Sequence, residues 1–441
     1  MRKIHLVFVM ILVIFSASCR KNEVTVVPAS ATPLLTLHFT YNWIPVNENA
    51  VVFLSDKNGN LLLDTVCTGN NTYVLDVKKG IARPDTFMMT VARPWKLLFY
   101  SEKIEITSYA EMIASEMTLS GNYSDSVGTT HLKFINYPDS GKNLNVLYGV
   151  TGYGYAPSFY TKMDMKLLVS PDHFFIRILA NGSPGRYQWI DTVESGKSYT
   201  IDLANMNVAD SQHVTLPISA GWVESYVWGY YGDGNNYLQG MPVDFYYKLS
   251  PDSNISSLIC HYPGKLFKSY FTHIQMQEKI NKSPFRFYSV WGEIPKEAKK
   301  INADLITQQG NSTGMSYQAS GSYNVVAGAW LTFGNTFSWI IYTPGDKHQI
   351  SLPQLPLSFK VKYPDFHSDS LKYTFLTFYD YTGFKNYWDI LKTGTGPEIL
   401  YYQKPVEMTS ATYYLKDPEL LKPYRSSLMQ RAMNTNPSSI N

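Results

Sequence analysis

The sequence contains few cysteines. Of its 441 residues only Cys19, Cys67 and Cys260 are cysteine, and no two of them have the close spacing of a zinc-binding pair. Cys67 and Cys260 lie far apart in the chain, so the spacing gives no sign of the dense disulfide framework found in small exported domains. We expect both to be free thiols in the protein core, where unpaired cysteine is often found.

Charged residues are also scarce. They make up 17% of the chain, the formal net charge at pH 7 is +3, and no run of basic residues is longer than Lys299-Lys300. Nucleic-acid-binding proteins usually carry a basic stripe or an isoelectric point well above the 8.4 of this chain. Nucleic acid is therefore excluded as a partner.

Signatures of catalysis and of metal binding are absent as well. The nine histidines are scattered and form no H-E-x-x-H motif. Residues Gly310–Gly314 fit the G-x-S-x-G pattern of serine hydrolases, but polar residues flank them where a nucleophile elbow requires a buried strand and a helix. We interpret this motif as a loop, and we predict no catalytic residues, no metal site and no cofactor.

Aromatic residues are abundant, with 34 Tyr, 22 Phe and 9 Trp. Aromatic and β-branched side chains fit the pleated, half-buried surface of a sheet. Asn58-Gly59 separates the apolar runs Val51–Leu54 and Leu61–Val66, which is typical of a tight β-hairpin. The sequence therefore predicts an all-β protein. Its few short helices are expected at Tyr109–Glu116, Pro295–Ile306 and Asp417–Leu421.

Part of the sequence repeats. Asp64-Thr65-Val66, followed by Gly69 and Tyr73, recurs as Asp191-Thr192-Val193, followed by Gly196 and Tyr199. A further echo relates Trp189-Ile190 and Gly196 to Trp339-Ile340 and Gly345. Tandem β-sandwich modules would produce such a pattern. Alternating strands also resemble one another by chance, and we favour the modules. They are predicted at residues 34–122, 123–215, 216–355 (a larger β module) and 356–441.

The N-terminal residues have the pattern of an export signal. Arg2 and Lys3 precede an apolar run from Leu6 to Phe15, and Ser16-Ala17-Ser18 stands directly before Cys19. Such a run is too short to cross the ~30 Å apolar core of a bilayer as a helix. We predict a signal peptide over residues 1–18 and, from its polar composition, a tether over residues 19–33.

This segment resembles the signal peptide of bacterial lipoproteins, in which the first residue after cleavage is an acylated cysteine. That residue would be Cys19, although Ser16 stands where the family usually has leucine. The resemblance implies that lipid on Cys19 attaches the protein to a membrane. The alternative is an ordinary secretory signal that leaves Cys19 unmodified.

With its tether and tyrosine-rich strands, the chain resembles surface or periplasmic lipoproteins of Bacteroidetes-type bacteria. These often contain immunoglobulin-like or carboxypeptidase-regulatory-like sandwiches, and Val51–Val77 is similar to the latter. The resemblance implies an outer-membrane lipoprotein of the cell envelope, on its periplasmic or its surface side. It assigns no activity.

Two aromatic clusters are the candidate ligand contacts. Exposed rings stack on sugars or anchor protein partners, whereas buried rings cover a core or pack between modules. We predict a binding protein for an extracellular glycan, polymer or envelope protein; the alternative is a hydrolase with a site assembled within residues 216–355. The candidate binding residues are Tyr153, Tyr155, Trp228, Tyr230, Tyr231 and Tyr237.

Overall fold

The computed structural model describes residues 33–40, 42–77, 80–95, 103–120, 127–136, 145–150, 152–157, 162–167, 170–179, 185–231, 240–250, 254–280, 283–332, 336–398, 400 and 404–415. Residues 145–150, 152–157, 163, 166, 178, 179 and 242 are described by their backbone only. The predicted signal peptide, Cys19 and the tether up to residue 32 lie outside the described residues. Within the described part of the chain, no helix has the length and apolar character needed to cross a membrane.

The first β-sandwich packs the sheet β4-β1-β7 against β3-β2-β5-β6. Its β2–β3 hairpin turns at Asn58-Gly59 as predicted, with Gly59 at a φ of +81°. The helix predicted at Tyr109–Glu116 is wrong, because β6 continues to Met112 and β7 begins at Ser115, and apolar side chains of both strands fill the core. The strands are β1 Leu35–Thr40, β2 Asn49–Ser55, β3 Leu61–Thr68, β4 Thr72–Leu75, β5 Phe87–Trp95, β6 Lys103–Met112 and β7 Ser115–Ser120.

The second sandwich has its own two sheets. Their strands are β8 Gly128–Ile135, β9 Asn145–Val150, β10 Gly152–Pro157, β11 Lys162–Leu167, β12 Asp172–Leu179, β13 Arg186–Val193, β14 Ser198–Asp202 and β15 Asn207–Val208. The sheet β10-β9-β12-β13-β15 packs on β11-β8-β14. Phe134, Phe174, Ile176 and Ile201 are buried between them.

In the third sandwich, the pair β16-β19 covers one face of the strands β18-β17-β20-β21. These strands are β16 Asp210–Ala220, β17 Trp222–Tyr230, β18 Gly240–Leu249, β19 Ile255–Tyr262, β20 Ser269–Gln277 and β21 Phe285–Gly292. A buried ion pair joins the second sandwich to the third: Nη1 of Arg177 on β12 lies 2.5 Å from Oδ1 of Asp244 on β18.

The fourth sandwich packs β22-β23-β26 on β28-β27-β24-β25, around the buried rings of Trp330 and Trp339. Gly310–Gly314 forms the hairpin turn between β22 and β23, which confirms that the motif is a loop. The helix predicted at Pro295–Ile306 is wrong, since Ala303 begins a strand, and Asp417–Leu421 lies outside the described residues. The elements are β22 Ala303–Gly310, β23 Gly314–Gly321, β24 Val325–Leu331, β25 Phe337–Pro344, β26 Gln349–Ser351, α1 Leu357–Lys362, β27 Lys372–Tyr381, α2 Tyr387–Leu391 and β28 Met408–Tyr414.

Strands of three sandwiches join into one 12-stranded sheet, in the order β18-β17-β20-β21-β28-β27-β24-β25-β6-β5-β2-β3. The first and fourth sandwiches meet where β6 pairs with β25 in parallel, and the third and fourth where β21 pairs with β28. The predicted boundary after residue 355 lies between β26 and β27, which are parts of the same sandwich. The predicted fold class, all-β sandwiches with few short helices, is confirmed.

The sequence repeat corresponds to a repeated structural corner. In β3–β4, β13–β14 and β25–β26, the second strand of the pair crosses to the opposite sheet of its sandwich. In the first two corners a tyrosine hydroxyl accepts a hydrogen bond from a backbone N–H five residues earlier: Tyr73 from Thr68 at 2.8 Å, and Tyr199 from Glu194 at 3.0 Å. The repeated residues thus stabilise the same change of sheet.

The two described cysteines are buried free thiols, as expected from their spacing. Cys67 lies in the core of the first sandwich and Cys260 in that of the third. Burial raises the pKa of the Cys67 thiol to about 12. It also raises the pKa of Cys260, so both side chains are protonated at neutral pH and act as small apolar residues.

Candidate functional site

One face of the third sandwich carries a row of aromatic rings outside the hydrophobic core. Side chains alternate along a strand, so Val223 and Val227, which lie in the core, place Tyr226 and Trp228 of β17 on the opposite face. Strand pairing puts Phe245 of β18 beside Tyr226 on that face. The sheet therefore has a core side, covered by β16 and β19, and an aromatic side.

We define the aromatic face as the side chains of Tyr226, Trp228, Phe245, Phe271, His273, Phe287 and Trp291. None of them belongs to the hydrophobic clusters formed by the described residues. Tyr226, Trp228, Phe245, Phe287 and Trp291 are partly exposed, whereas Phe271 is 1% exposed. The face is therefore a layer of rings with one surface toward solvent.

The rings of the aromatic face contact one another in sequence. The ring centroids of Tyr226 and Phe245 are 5.0 Å apart, those of Tyr226 and Trp228 are 5.4 Å apart, and those of Trp228 and Phe271 are 5.6 Å apart. Phe271 then lies 5.3 Å from Trp291. Such contacts contribute about 0.5–1.5 kcal/mol per pair beyond burial and hold the rings in fixed orientations.

A second group of rings extends this row toward the fourth sandwich. Trp222, at the start of β17, lies 5.5 Å from Phe285 of β21, and Phe285 lies 5.5 Å from Tyr414 of β28. The large sheet brings these strands together although they are far apart in the sequence. Apolar flat surface thus continues along one side of the joined sandwiches.

Glu224 is the acidic group of this surface. It precedes Tyr226 by two residues on the same side of β17, and the Tyr226 hydroxyl donates a hydrogen bond to its Oε1. The residue is 6% exposed, and burial raises the pKa of its carboxyl to about 7. Strand pairing places Tyr247 and Gln275 on either side of it. A carboxyl with a pKa near 7 is present in both its protonated and its ionised form at neutral pH, so it is able to donate as well as accept hydrogen bonds.

His273 supplies a neutral polar group within the aromatic face. Its Nδ1 lies 2.7 Å from the Ser289 hydroxyl, and its Nε2 lies 3.2 Å from the Gln275 side-chain nitrogen. A proton on Nδ1 satisfies both contacts, because Nε2 then accepts from the amide. Burial lowers the pKa of His273 to about 4, so the ring is uncharged at neutral pH.

This arrangement suits a neutral ligand with flat apolar faces and many hydroxyl groups. The partly exposed rings offer stacking surfaces, and Glu224, Gln275 and Tyr247 offer hydrogen-bonding groups beside them. On the described residues of β17, β18, β20, β21 and β28 that point to this side, Glu224 is the one carboxyl group. The face thus combines much apolar area with few polar groups.

The structure separates the predicted residues of the second cluster. Trp228 lies on the aromatic face, and Tyr230 is buried at the end of β17 with its ring 4.5 Å from Trp291. Tyr231 instead packs against His173 and Trp189 of the second sandwich, at 4.6 and 5.8 Å. Tyr237 lies outside the described residues.

The first predicted cluster lies on a different sandwich. Tyr153 and Tyr155 belong to the edge strand β10, where their backbones pair with Gly149 and Leu147 of β9. Their side chains, like Cys19, are outside what the structure describes. Tyr153, Tyr155 and Cys19 therefore stay predictions.

Sequence reasoning missed most of the aromatic face. The signal was present in β17, where every second residue from Trp222 to Tyr230 is aromatic or acidic and alternates with valine, serine and glycine. It was present again in Phe271-x-His273. Read with a period of two, these strands have aromatic residues on one face and core residues on the other.

Comparisons with known proteins add little to this description. No family model matches the chain, and no curated protein matches it. Among solved structures, it is similar to a tetra-tandem repeat in the extending region of a large adhesion protein, with 8% identity over 86% of this chain and 98% of that one, at a TM-score of 0.12. It is also similar to the Bacillus anthracis TIE protein, with 10% identity over 70% of this chain and 62% of that one, at a TM-score of 0.15. TM-scores this low do not show a shared fold. The repeated sandwich architecture is therefore inferred from the sheets of this protein alone.

Proposed function

We propose that this protein is a lipid-anchored component of a bacterial cell envelope that binds an extracellular glycan through its aromatic face. The observation that carries the binding proposal is the continuous layer of partly exposed rings around Tyr226 and Trp228. A sugar ring presents C–H groups on its faces and hydroxyls at its edge. Flat rings with Glu224 and Gln275 beside them match both kinds of group.

The same face supports binding better than hydrolysis. Glycoside hydrolysis usually requires two carboxyl groups about 5–9.5 Å apart, on either side of the scissile bond. Glu224 has the raised pKa expected of a general acid, but the described residues of this face offer no second carboxyl beside it. We therefore propose a binding protein and keep the hydrolase as the alternative within residues 216–355.

A glycan array probed with purified residues 20–441 tests the proposal. We expect wild-type protein to bind a defined set of glycans, and Trp228→Ala and Tyr226→Ala each to weaken that binding about fivefold. A ring–sugar contact comparable to an aromatic pair contributes about 1 kcal/mol, and ~1.4 kcal/mol corresponds to tenfold in affinity.

Two controls separate recognition from folding. Trp228→Phe keeps a ring at the same position and should retain most of the affinity, whereas Val361→Ala removes an exposed apolar side chain (73% exposed) from α1, outside the face. Glycan binding that persists unchanged in Trp228→Ala and Tyr226→Ala would contradict the proposal. Release of reducing sugar from a bound glycan would favour the hydrolase.

The lipid anchor is a separate part of the proposal, supported by the apolar run and the small residues before Cys19. Two or three acyl chains would hold the protein on a bilayer, since each buried methylene contributes ~0.8 kcal/mol. Metabolic labelling with an alkyne fatty acid should label wild-type protein in a bacterial host and leave Cys19→Ala unlabelled. Equal labelling of both proteins, or of neither, would contradict acylation at Cys19.

A further inference from the structure

A second candidate site lies between the first and fourth sandwiches, far along the large sheet from the aromatic face. The β2–β3 hairpin turn stands opposite β26 and the residues after it, and they line an open cavity of about 340 Å³. This volume falls within the range of about 300–1,000 Å³ that is usual for small-molecule sites. The cavity is therefore large enough for a small ligand.

The cavity has an apolar floor and a polar rim. Phe87, Ala110 and Ile350 form part of the floor, and each is at least nine-tenths buried. Gln349 and Ser351 alternate with Ile350 along β26 and are exposed at the rim. Sites for small ligands commonly combine an apolar lining with a few placed polar groups.

A β-bulge directs Glu111 into this cavity. The register of β5 and β6 shifts between the pairs Phe87↔Met112 and Met89↔Tyr109, so that β6 contains one extra residue there. Glu111 takes a φ of +52°, a left-handed conformation that is uncommon for glutamate. Bulges redirect side chains, and residues in such conformations cluster at functional sites.

The neighbours of Glu111 hold it in this conformation. Its carbonyl oxygen accepts a hydrogen bond of 2.9 Å from Nε1 of Trp388. Its carboxylate lies 2.7 Å from Nζ of Lys347, and this hydrogen bond raises the pKa of Lys347. Asp56 and Lys57 of the hairpin turn also line the cavity. Its four charged groups are two carboxylates and two ammonium groups, so the site offers hydrogen-bonding groups without a net charge.

We infer that this cavity binds a neutral polyhydroxylated ligand, such as a monosaccharide unit, with Glu111 and Lys347 as the groups that contact its hydroxyls. A cation is disfavoured because the described residues contain no cluster of three or more His, Cys, Asp or Glu able to hold a metal. An anion is disfavoured because the positive charges of Lys57 and Lys347 are balanced by the carboxylates of Asp56 and Glu111. The inference does not rest on glycan binding by the aromatic face.

Saturation-transfer difference NMR on residues 20–441 tests it, with glucose, galactose, mannose and N-acetylglucosamine as probes at millimolar concentration. We expect at least one sugar to bind and Glu111→Gln to weaken it by about 10- to 100-fold, the range for losing a hydrogen bond to a charged group. Ser351→Trp, which fills the rim from an exposed position, should abolish the signal. Glu116→Gln, at an exposed site outside the cavity, should leave it unchanged.

The outcomes distinguish the two sites. A sugar signal lost in Trp228→Ala but kept in Ser351→Trp would belong to the aromatic face and would overturn the inference. Absence of binding by all four sugars would also overturn it, as would phosphate or calcium that binds wild-type protein in their place. If Glu111→Gln does not unfold cooperatively, the variant is misfolded and its loss of binding is not informative. The signal of Ser351→Trp then decides the inference.

Discussion

Replacing Glu398 by glutamine should make the protein more stable at neutral pH. The residue follows α2 in the chain, and the Tyr109 hydroxyl donates a hydrogen bond to its Oε1. Its Oε2 is buried and has no hydrogen-bond partner among the residues that the structure describes. Although part of the residue is exposed, the carboxyl is enclosed, and this burial raises its pKa from 4.5 to about 7.

The sign of the pH dependence follows from this pKa. A carboxyl with a pKa of about 7 when folded and 4.5 when unfolded binds its proton more tightly in the folded state. Its contribution is fully present below about pH 4.5 and is lost as the pH rises to about 7. A difference of about 2.5 units corresponds to about 3 kcal/mol of unfolding free energy, at ~1.36 kcal/mol per unit.

Urea unfolding at pH 4.5, 5.5, 6.5 and 7.5 measures the effect. Glutamine keeps the shape of the protonated acid and an oxygen that accepts from Tyr109, so Glu398→Gln and wild type should be nearly equal in stability at pH 4.5. At pH 7.5 the variant should be about 3 kcal/mol more stable. Glu224 and His273 titrate in both proteins, so their contributions cancel in the comparison.

A pH-independent difference between the two proteins would refute the reasoning. It would mean that the carboxyl of Glu398 is hydrated or finds a partner when it ionises. Glu293→Gln serves as the control for removing a carboxyl group, because Glu293 is exposed. That variant shows how much of any change comes from altered net charge alone.

Two other predictions concern stability. Arg177→Met should destabilise the protein by about 3–5 kcal/mol in urea unfolding, because it leaves Asp244 buried without its counter-charge. The double variant Arg177→Met/Asp244→Asn should lose less unfolding free energy than the two single variants lose together. Simple additivity of the two losses would contradict the pairing. Gly59→Ala should cost about 1 kcal/mol, since φ is +81° and the new Cβ would lie 3.4 Å from Cα of Pro353. No loss in that variant would show that the turn relaxes.

Much of the fold was predictable from local sequence. Alternating apolar and aromatic residues predicted strands because a strand buries one face with a period of two. The Asn58-Gly59 hairpin was predictable because its turn depends on a few neighbouring residues. The repeated Tyr73 and Tyr199 marked the corner where a strand changes sheet, since each tyrosine bonds to a backbone N–H only five residues away.

The candidate sites were less predictable. Trp228 was identified from its ring, but its partners Phe245, Phe271 and Trp291 come from other strands that pairing brings beside it. Tyr231 is near Trp228 in the sequence, yet it packs on another sandwich. The Glu111 cavity requires residues from β6 and β26, which no local pattern connects.

The sequence by itself determined that the chain forms strands and where many of them turn, because those properties depend on neighbouring residues. Only the tertiary structure decided which strand faces are covered. Val51–Leu54 and β17 both have large apolar side chains on their two faces, yet in β2 both faces are buried by two cores, while in β17 the aromatic side stays partly exposed. The physical reason is that burial here depends on pairings between distant strands, such as β6 with β25, which place a covering layer over one part of the sheet and not over another.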